Sequence, residues 1–338
     1  MRAWRGRKVQ VALDAMGGDI GVAANVEGAV AAVRELPVSV ILVGNEEEIA
    51  KHLEAYDASS LGITIRHAPE TVGMDEPPTF ALRRKKRSSI RVGLELVKRD
   101  EAEAFVSAGN TGAVMAKAYV VLGPLPGVER PAIAVVLPTL TGKMILLDVG
   151  ANADCKPRHL VQFAIMGHIY ARYILGKATP RVGLLSIGEE EGKGNELTKE
   201  AFKVLEEEPS LSFIGNVEGR DVFSGKADVV VCDGFTGNIA LKIGEAAAEF
   251  LVVLLREELS KDLPGKAGSL LMKNAFHRLK KRIDPAEVGG APLLGVDGVC
   301  IVSHGRSTAK AIKSAIRVAL ECVQGNVIQH IRDGIAAV

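Results

Sequence analysis

The sequence has few aromatic residues and almost no net charge. Phe, Trp and Tyr make up 4% of its 338 residues, and 42 Lys and Arg are balanced by 41 Asp and Glu. Base stacking requires aromatic side chains, and nucleic-acid binding generally requires a basic surface. We therefore expect no nucleic-acid partner, and only local charge patches can identify other partners.

Cysteine is also scarce, and long apolar runs are missing. The four cysteines are scattered, without the C-x-x-C spacing of metal and redox motifs, so we expect no metal site and a reduced, cytoplasmic protein. The most apolar stretch, residues 246–255, contains Glu249 and is too short to cross a bilayer. Asp14 comes too early for the core of a signal peptide.

Motifs for nucleotides and for nucleophilic catalysis are missing as well. No segment matches the P-loop pattern G-x-x-x-x-G-K-[ST] or a complete G-x-G-x-x-G dinucleotide fingerprint. Ser107 and Ser186 lack the G-x-S-x-G context of a nucleophile elbow. We expect no cofactor and no covalent enzyme intermediate.

Apolar runs alternate with helical patterns through most of the chain, which predicts an α/β fold with a mostly parallel sheet and helices on both faces. Residues 80–98 read as one long helix, and residues 132–137 and 143–147 as a hairpin with a five-residue loop. The chain length suits one large domain or two coupled domains. We expect two lobes around one cleft.

Four apolar runs end in short clusters of Gly, Asn and Asp. These clusters are residues 14–19, 107–112, 146–152 and 232–238. The carboxyl ends of parallel strands meet in one crevice, and glycine lets backbone N–H groups approach an anion. Helices that begin after such turns add a positive dipole end. Each cluster alone could be a tight turn, but together they predict one phosphate or carboxylate site.

The loop at residues 186–196 contains three consecutive acids, a lysine between glycines and an amide beside a helix start. Lys193 could hold an anion as a point charge. The alternative is a solvated loop in which Asn195 is only a helix cap.

An unbroken run of cations within the predicted helix comprises Arg83, Arg84, Lys85, Lys86 and Arg87. A solvated helix face is the simplest interpretation. The alternative is a docking surface for an acidic or phosphate-rich partner.

A second basic segment, residues 266–283, has Met272, Phe276 and Leu279 on one apolar stripe of a predicted helix. Leu263 lies in a predicted turn just before it. Such a basic amphipathic helix suits an anionic membrane surface. A helix packed on its own subunit or on a dimer mate is an equal alternative.

Motifs along nearly the whole chain resemble those of bacterial phosphate acyltransferases, which act in phospholipid synthesis. They comprise residues 14–19, 76–86, 107–112, 146–152, 154–157, 188–196, 215–221, 233–238 and 289–295. One position departs from the family, because Ile20, Gly21 and Val22 stand where it commonly has His-Ala-Pro. The second departure is the tail Gly305-Arg306-Ser307 after His304.

The resemblance implies transfer of a fatty acyl group from the thioester of acyl carrier protein to inorganic phosphate. The acyl phosphate would then serve a membrane glycerol-3-phosphate acyltransferase. It also implies a three-layer αβα fold of the isocitrate/isopropylmalate dehydrogenase type, a homodimer and peripheral membrane attachment. We expect one lobe to span about 1–130 plus 290–338 and the other about 131–289.

Residue roles follow from chemistry and motif position. The expected phosphate-binding residues are Gly17, Gly18, Asp19, Asn110, Thr111 and Gly112. Lys193 would neutralise the phosphate, and Asn195 or Asn238 would donate to the oxyanion. Asp233 would orient the phosphate or accept its proton. The basic run 83–87 would bind the acidic carrier.

Three alternatives remain open. A phosphotransacetylase-like enzyme would use acyl-CoA as donor. A metal- and NAD-dependent dehydrogenase of the same fold would need clustered Asp ligands that the sequence does not offer. A scaffold that recruits lipid-synthesis proteins would not need the Gly/Asn loops.

Overall fold

The computed structural model describes residues 8–57, 61–283, 286 and 289–337, without the side chains of residues 269 and 280–283. The strands in this part of the chain are β1 (Val9–Asp14), β2 (Val38–Gly44), β3 (Ile63–His67), β4 (Ala104–Ser107), β5 (Ala132–Thr139), β6 (Gly142–Leu147), β7 (Arg181–Leu185), β8 (Ser212–Val217), β9 (Val229–Val231), β10 (Ala291–Leu294) and β11 (Val299–Val302).

The helices of the same described ranges are α1 (Val22–Glu35), α2 (Glu46–Leu53), α3 (Pro78–Arg84), α4 (Ser89–Lys98), α5 (Thr111–Val121), α6 (Pro157–Tyr173), α7 (Glu196–Glu206), α8 (Gly234–Ser260), α9 (Leu263–Leu271), α10 (Lys273–Ile283), α11 (Ala309–Gln324) and α12 (Val327–Ala336). A short 3-10 turn, Gly219–Phe223, precedes β9.

All the described strands form one sheet, in the order β3-β2-β1-β4-β11-β10-β5-β6-β9-β7-β8. β3, β2, β1, β4 and β11 are mutually parallel, and we call them the first half of the sheet. β6, β9, β7 and β8 are also mutually parallel, and they form the second half.

Three antiparallel pairings lie between the halves: β11 with β10, β10 with β5, and β5 with β6. An odd number of reversals makes the two halves run in opposite directions. The carboxyl ends of the two halves therefore lie at opposite edges of the sheet. β10 and β5 are joined by only two residue pairs, Leu293 with Ile133 and Leu294 with Ala132.

The core lies on both faces of the sheet, because successive strand side chains point to opposite sides. In β1, Val11 and Leu13 pack into a cluster with α1, α6 and α11, whereas Ala12 packs on the other face with α4 and α5. The predicted α/β architecture with a mostly parallel mixed sheet and helices on both faces is thereby confirmed. The two-lobe division stays a prediction.

Several predicted elements were wrong in detail. The long helix over residues 80–98 is two helices, because the Ser88 hydroxyl accepts the Arg91 N–H and starts α4 afresh. The hairpin loop is Leu140 and Thr141 alone, since Pro138 and Thr139 still pair with β6. β8, β10, β11 and α12 were not predicted.

Candidate active site

Three loops meet at the carboxyl edge of the first half of the sheet. They follow β1, β4 and β11, which are neighbours in the sheet. The Asp19 N–H donates to the Gly305 carbonyl at 2.7 Å. A Cβ added to Gly17 would lie 2.6 Å from the Gly109 nitrogen. The predicted residues Gly17, Gly18 and Asp19 are thus brought together with the loop at residues 107–112.

Glycine is required at two of these positions for different reasons. Gly17 allows the backbones after β1 and β4 to approach more closely than any side chain permits. Gly18 has a φ of 92°, a left-handed conformation that favours glycine. The close turn therefore depends on both glycines in sequence.

Asp14 lies beneath this turn and holds it. Its buried carboxylate accepts hydrogen bonds from the Ser107 hydroxyl at 2.7 Å and the Met16 N–H at 3.2 Å. Burial raises the pKa of Asp14, while hydrogen bonds from Ser89 and Ser107 lower it. Asp14 joins the ends of β1 and β4 and does not reach the surface.

Asn110 caps α5, and its side chain is fully engaged. Its Oδ1 accepts the Ala113 N–H at 3.0 Å, and its Nδ2 donates to the Met74 carbonyl at 2.7 Å and the Glu76 carbonyl at 3.0 Å. The contribution of this side chain to phosphate binding stays a prediction, and its amide donors are already engaged by the 73–76 turn. The N–H groups of Thr111 and Gly112 have no intrahelical acceptor in the first turn of α5, so they are the better anion donors.

Asp148 organises the carboxyl edge of the second half of the sheet. Its buried carboxylate accepts five N–H donors, four from the backbone of residues 133, 150, 151 and 152 and one from the Asn152 side chain, at 2.7–3.2 Å. Burial raises the pKa of Asp148, and these donors oppose the rise. The turn after β6 is thereby fixed around one carboxylate.

Asp233 and Asn238 lie next to this turn. Asp233 caps α8, and its carboxylate accepts from the Thr236 N–H and hydroxyl, both at 2.8 Å. The half-buried Asn238 side chain lies against Gly150, where an added Cβ would be 3.9 Å from its Nδ2. Within the described residues, the Asn238 side chain makes no hydrogen bond, so its amide is available to a ligand.

The loop at residues 186–196 follows β7 at the same edge. Asn195 caps α7, accepting the Thr198 N–H at 2.9 Å, as the alternative interpretation expected. Glu189 forms an ion pair with Lys226 at 3.0 Å. Lys193 is exposed, and within the described part of the chain its ammonium has no ion-pair partner. It is a cation available for an anion.

The predicted residues thus fall into two groups. Lys193, Asn195, Asp233 and Asn238 follow β7 and β9, which are neighbours in the second half of the sheet. The residues predicted to bind phosphate follow strands of the first half. The expectation of one crevice within one chain was wrong, because the strands between the halves reverse the sheet direction.

The basic run is not a continuous helix face. Arg83 and Arg84 end α3 and are exposed, and Lys86 and Arg87 are exposed in the following turn. Lys85 is half-buried, and its ammonium contacts the Glu76 carboxylate and the Thr71 carbonyl. Lys85 is therefore a structural residue rather than a free part of a docking surface.

The second basic segment is also interrupted. Residues 266–283 form α9 and α10 with a break at Met272, and Leu263 begins α9 instead of lying in a turn. Leu263, Met272 and Leu279 are exposed, whereas Phe276 is half-buried. The side chains of residues 280–283 lie outside the described part. No helix in the described ranges is long and apolar enough to span a membrane.

Two features around the first half of the sheet were not predicted. The place of the loop at residues 303–307 beside Asp19 was not predicted because β10 and β11 were not predicted, although an apolar run before Ser303 was a usable signal. Lys117 is completely buried in α5, and its ammonium donates to the Lys85 carbonyl at 2.6 Å. A lone lysine in the apolar stretch 113–121 was its only signal.

The family described as "Fatty acid synthesis protein" matches residues 9–330 of the chain. A phosphate acyltransferase from Geotalea uraniireducens is 53% identical over 325 residues, which cover 96% of this chain and 94% of its own. Another from Acidobacterium capsulatum is 51% identical over 328 residues and covers 97% of both chains.

Solved structures resemble the fold. A phosphotransacetylase from Streptococcus pyogenes aligns with a TM-score of 0.67 and 18% identity over 95% of each chain. A branched-chain phosphotransacylase from Enterococcus faecalis V583 aligns at 0.57 and 14%, over 93% of this chain and 98% of its own. A 4-hydroxythreonine-4-phosphate dehydrogenase from Klebsiella pneumoniae aligns at 0.51 and 15%, over 94% and 100%. At these identities the likeness establishes the architecture alone.

Proposed function

Because this chain belongs to the family of fatty acid synthesis proteins that includes the phosphate acyltransferases, we propose that it transfers a fatty acyl group from acyl carrier protein to inorganic phosphate. The observation that supports a phosphate site most directly is the convergence of Gly17, Gly109 and Gly305 beside the first turn of α5. Backbone N–H groups and a helix N-terminus together form an anion site without any metal.

The reaction needs position more than acid catalysis. A phosphate oxygen attacks the thioester carbonyl carbon, the C–S bond breaks, and the carrier departs as a thiolate. Holding phosphate on the N–H groups of Thr111 and Gly112 makes the attack effectively unimolecular, which can contribute several kcal/mol. The oxygen of the tetrahedral intermediate needs a donor placed in advance.

We propose that Lys193, Asn195, Asp233 and Asn238 serve this step from a second copy of the chain. Within one chain they lie at the opposite sheet edge from Thr111 and Gly112. α8 starts just after Asp233 and exposes many large apolar side chains, which suits a dimer contact: Phe235, Ile239, Ile243, Phe250, Leu251, Val253, Leu254 and Leu255. In a homodimer the carboxyl edge of the second half in one copy would then face the carboxyl edge of the first half in the other.

Mixing two inactive variants tests this arrangement. Lys193→Ala should lose turnover while remaining folded. A variant with a side chain in place of Gly17 should do the same. A symmetric dimer re-formed from equal amounts of both would contain heterodimers with one intact site, restoring about a quarter of wild-type activity. Absence of any recovery in verified heterodimers would rule out catalysis across the dimer.

We propose that the acidic carrier docks on Arg83, Arg84, Lys86 and Arg87. These exposed cations lie on the segment that leads from the 73–76 turn, which Asn110 holds beside the α5 N-terminus. Charge complementarity favours rapid and specific encounter with an acidic partner.

We also propose peripheral attachment to an anionic membrane from the cytoplasm, through Leu263, Met272, Phe276 and Leu279, which would deliver acyl phosphate to a membrane glycerol-3-phosphate acyltransferase. Three of these four side chains are exposed beside cations such as Lys273 and Arg278. Leu263→Asp should reduce sedimentation with phosphatidylglycerol vesicles. Leu140→Asp, at an equally exposed leucine (81%) on the β5–β6 turn, is the control.

The donor assay decides between the proposed function and its nearest rival. Acyl phosphate should form from palmitoyl-acyl carrier protein and phosphate much faster than from palmitoyl-CoA. A preference for acyl-CoA would favour the phosphotransacetylase-like alternative. NADH formation from hydroxy acids would favour a dehydrogenase, and absence of all turnover would favour a scaffold. The isocitrate/isopropylmalate dehydrogenase type remains our proposed fold assignment.

A further inference from the structure

Residues 73–87 are held against α5 at two separate points. At the first, Asn110 Nδ2 donates to three carbonyls of residues 73–76, at 3.4, 2.7 and 3.0 Å. At the second, Lys117 Nζ donates to the Lys85 carbonyl at 2.6 Å. α5 and its cap therefore fix both the 73–76 turn, beside the candidate phosphate site, and Lys85 within the basic run at residues 83–87.

An ion pair joins these two points directly. The Glu76 carboxylate contacts the Lys85 ammonium, which also contacts the Thr71 carbonyl. Both side chains are about three-quarters buried, with 27% of Glu76 and 23% of Lys85 exposed. The hydrogen bond from Lys85 lowers the pKa of Glu76. Removal of one partner from a partly buried pair leaves the other charge poorly compensated, so this pair should be more costly to break than an exposed one.

Lys117 makes the second point of attachment energetically demanding. Burial lowers its pKa to about 8, and the neighbouring Arg91 and Lys85 charges add to that fall, while Glu70 and Glu76 oppose it. An apolar side chain would fill this position at lower cost. A buried lysine bonded to a backbone carbonyl instead fixes the position of that carbonyl.

We propose that Glu76 is a positioning residue that couples the basic run at residues 83–87 to phosphate binding at the α5 N-terminus. The inference rests on the proposed function. An acidic partner that binds Arg84 and Lys86 also attracts Lys85 and competes with Glu76 for its ammonium. Loss of that pair releases the 73–76 turn. Asn110 holds this turn and also caps the helix whose first N–H groups, those of Thr111 and Gly112, would bind phosphate. Coupling of this kind is reciprocal, so phosphate changes carrier affinity by the same factor.

Calorimetry can measure the coupling without turnover. The probe ligands are inorganic phosphate and unacylated acyl carrier protein, and the quantity is the phosphate Kd with and without saturating carrier. In the wild type the two Kd values should differ by at least about 5-fold, the lower end of typical coupling. In Glu76→Gln the ratio should fall to one, with both ligands still binding.

Matched variants separate positioning from general destabilisation. Glu101→Gln removes an ion pair of 2.8 Å with Arg66 of β3, which involves neither Glu76 nor Lys85, and should keep the wild-type ratio. Lys85→Arg keeps the charge and should retain coupling, whereas Lys85→Met should lose it. An unchanged ratio in a folded Glu76→Gln overturns the inference.

The outcome stays separate from that of the proposed function. The wild type could show equal phosphate Kd values with and without carrier and still make acyl phosphate from the acylated carrier. That result would refute only the coupling. Absence of acyl phosphate in the donor assay would refute the proposed function itself. If Glu76→Gln does not fold, hydrogen exchange of the 73–76 amides in the wild type decides. Protection there should change when the carrier binds, and unchanged protection would refute the coupling.

Discussion

Replacement of Gly17 by alanine should damage phosphate use and stability together. The added Cβ would lie 2.6 Å from the Gly109 nitrogen and 2.8 Å from Asp14 Oδ2. Neither atom can move cheaply, since one is backbone and the other is buried and bonded to Ser107. Overpacking of this kind costs about 1–3 kcal/mol. At about 2–4 °C per kcal/mol, the melting temperature should fall by several degrees.

The loops after β1 and β4 must separate to admit the methyl group of Gly17→Ala. A displacement of about 1 Å can cost about 100-fold in a positioned reaction, so kcat/KM for phosphate should fall by about 10–100-fold. KM for the carrier should change little. Gly219→Ala is the control, because its added Cβ meets nothing within 4 Å. Wild-type melting and wild-type phosphate kinetics in Gly17→Ala would refute the assigned site.

Three further predictions address the buried lysine, the carrier surface and the dimer. The pKa of Lys117 is lowered from 10.5 to about 8, so between these values the unfolded chain binds more protons. Wild-type unfolding free energy should therefore rise with pH over this window relative to Lys117→Met, by at most about 1.4 kcal/mol per pH unit; parallel curves in urea titrations would contradict this. The double variant Arg83→Glu/Arg84→Glu should raise KM for the carrier and weaken its salt dependence in steady-state assays, and an unchanged KM would mean that these arginines are only solvated. Leu251, 62% exposed on α8, should be buried in the dimer; Leu251→Asp should sediment as a monomer, and a persistent dimer would move the interface elsewhere.

Local signals predicted most of the first half of the sheet. Val9–Asp14 and Val38–Gly44 are mostly apolar and are followed by helical periodicity, so both the strands and the helices after them could be predicted. β10 and β11 could not be predicted in this way. Ala291–Leu294 and Val299–Val302 are only four residues each, and a segment with Gly and Asp separates them. These short strands and the β5–β6 hairpin set the direction of the second half. A local pattern cannot reveal a reversal that is decided by distant pairing.

The candidate site was predicted in part for the same reason. The glycine clusters identified the ends of strands correctly, but the sharing of polar side chains between loops is a tertiary property. Asn110 had the right chemistry for a ligand, yet its side chain is used as a helix cap and holds the 73–76 turn. Asp14 and Lys117 were overlooked as structural anchors, because burial and partners are not visible in composition.

The narrow junction between β10 and β5 has a mechanical consequence. Only the pairs of Leu293 with Ile133 and of Leu294 with Ala132 connect the two strands. A bending motion concentrates where the fewest backbone bonds resist it. β10 is also joined to β11 by only two residue pairs, so twisting of one half of the molecule against the other should occur about β10, leaving each set of parallel strands rigid.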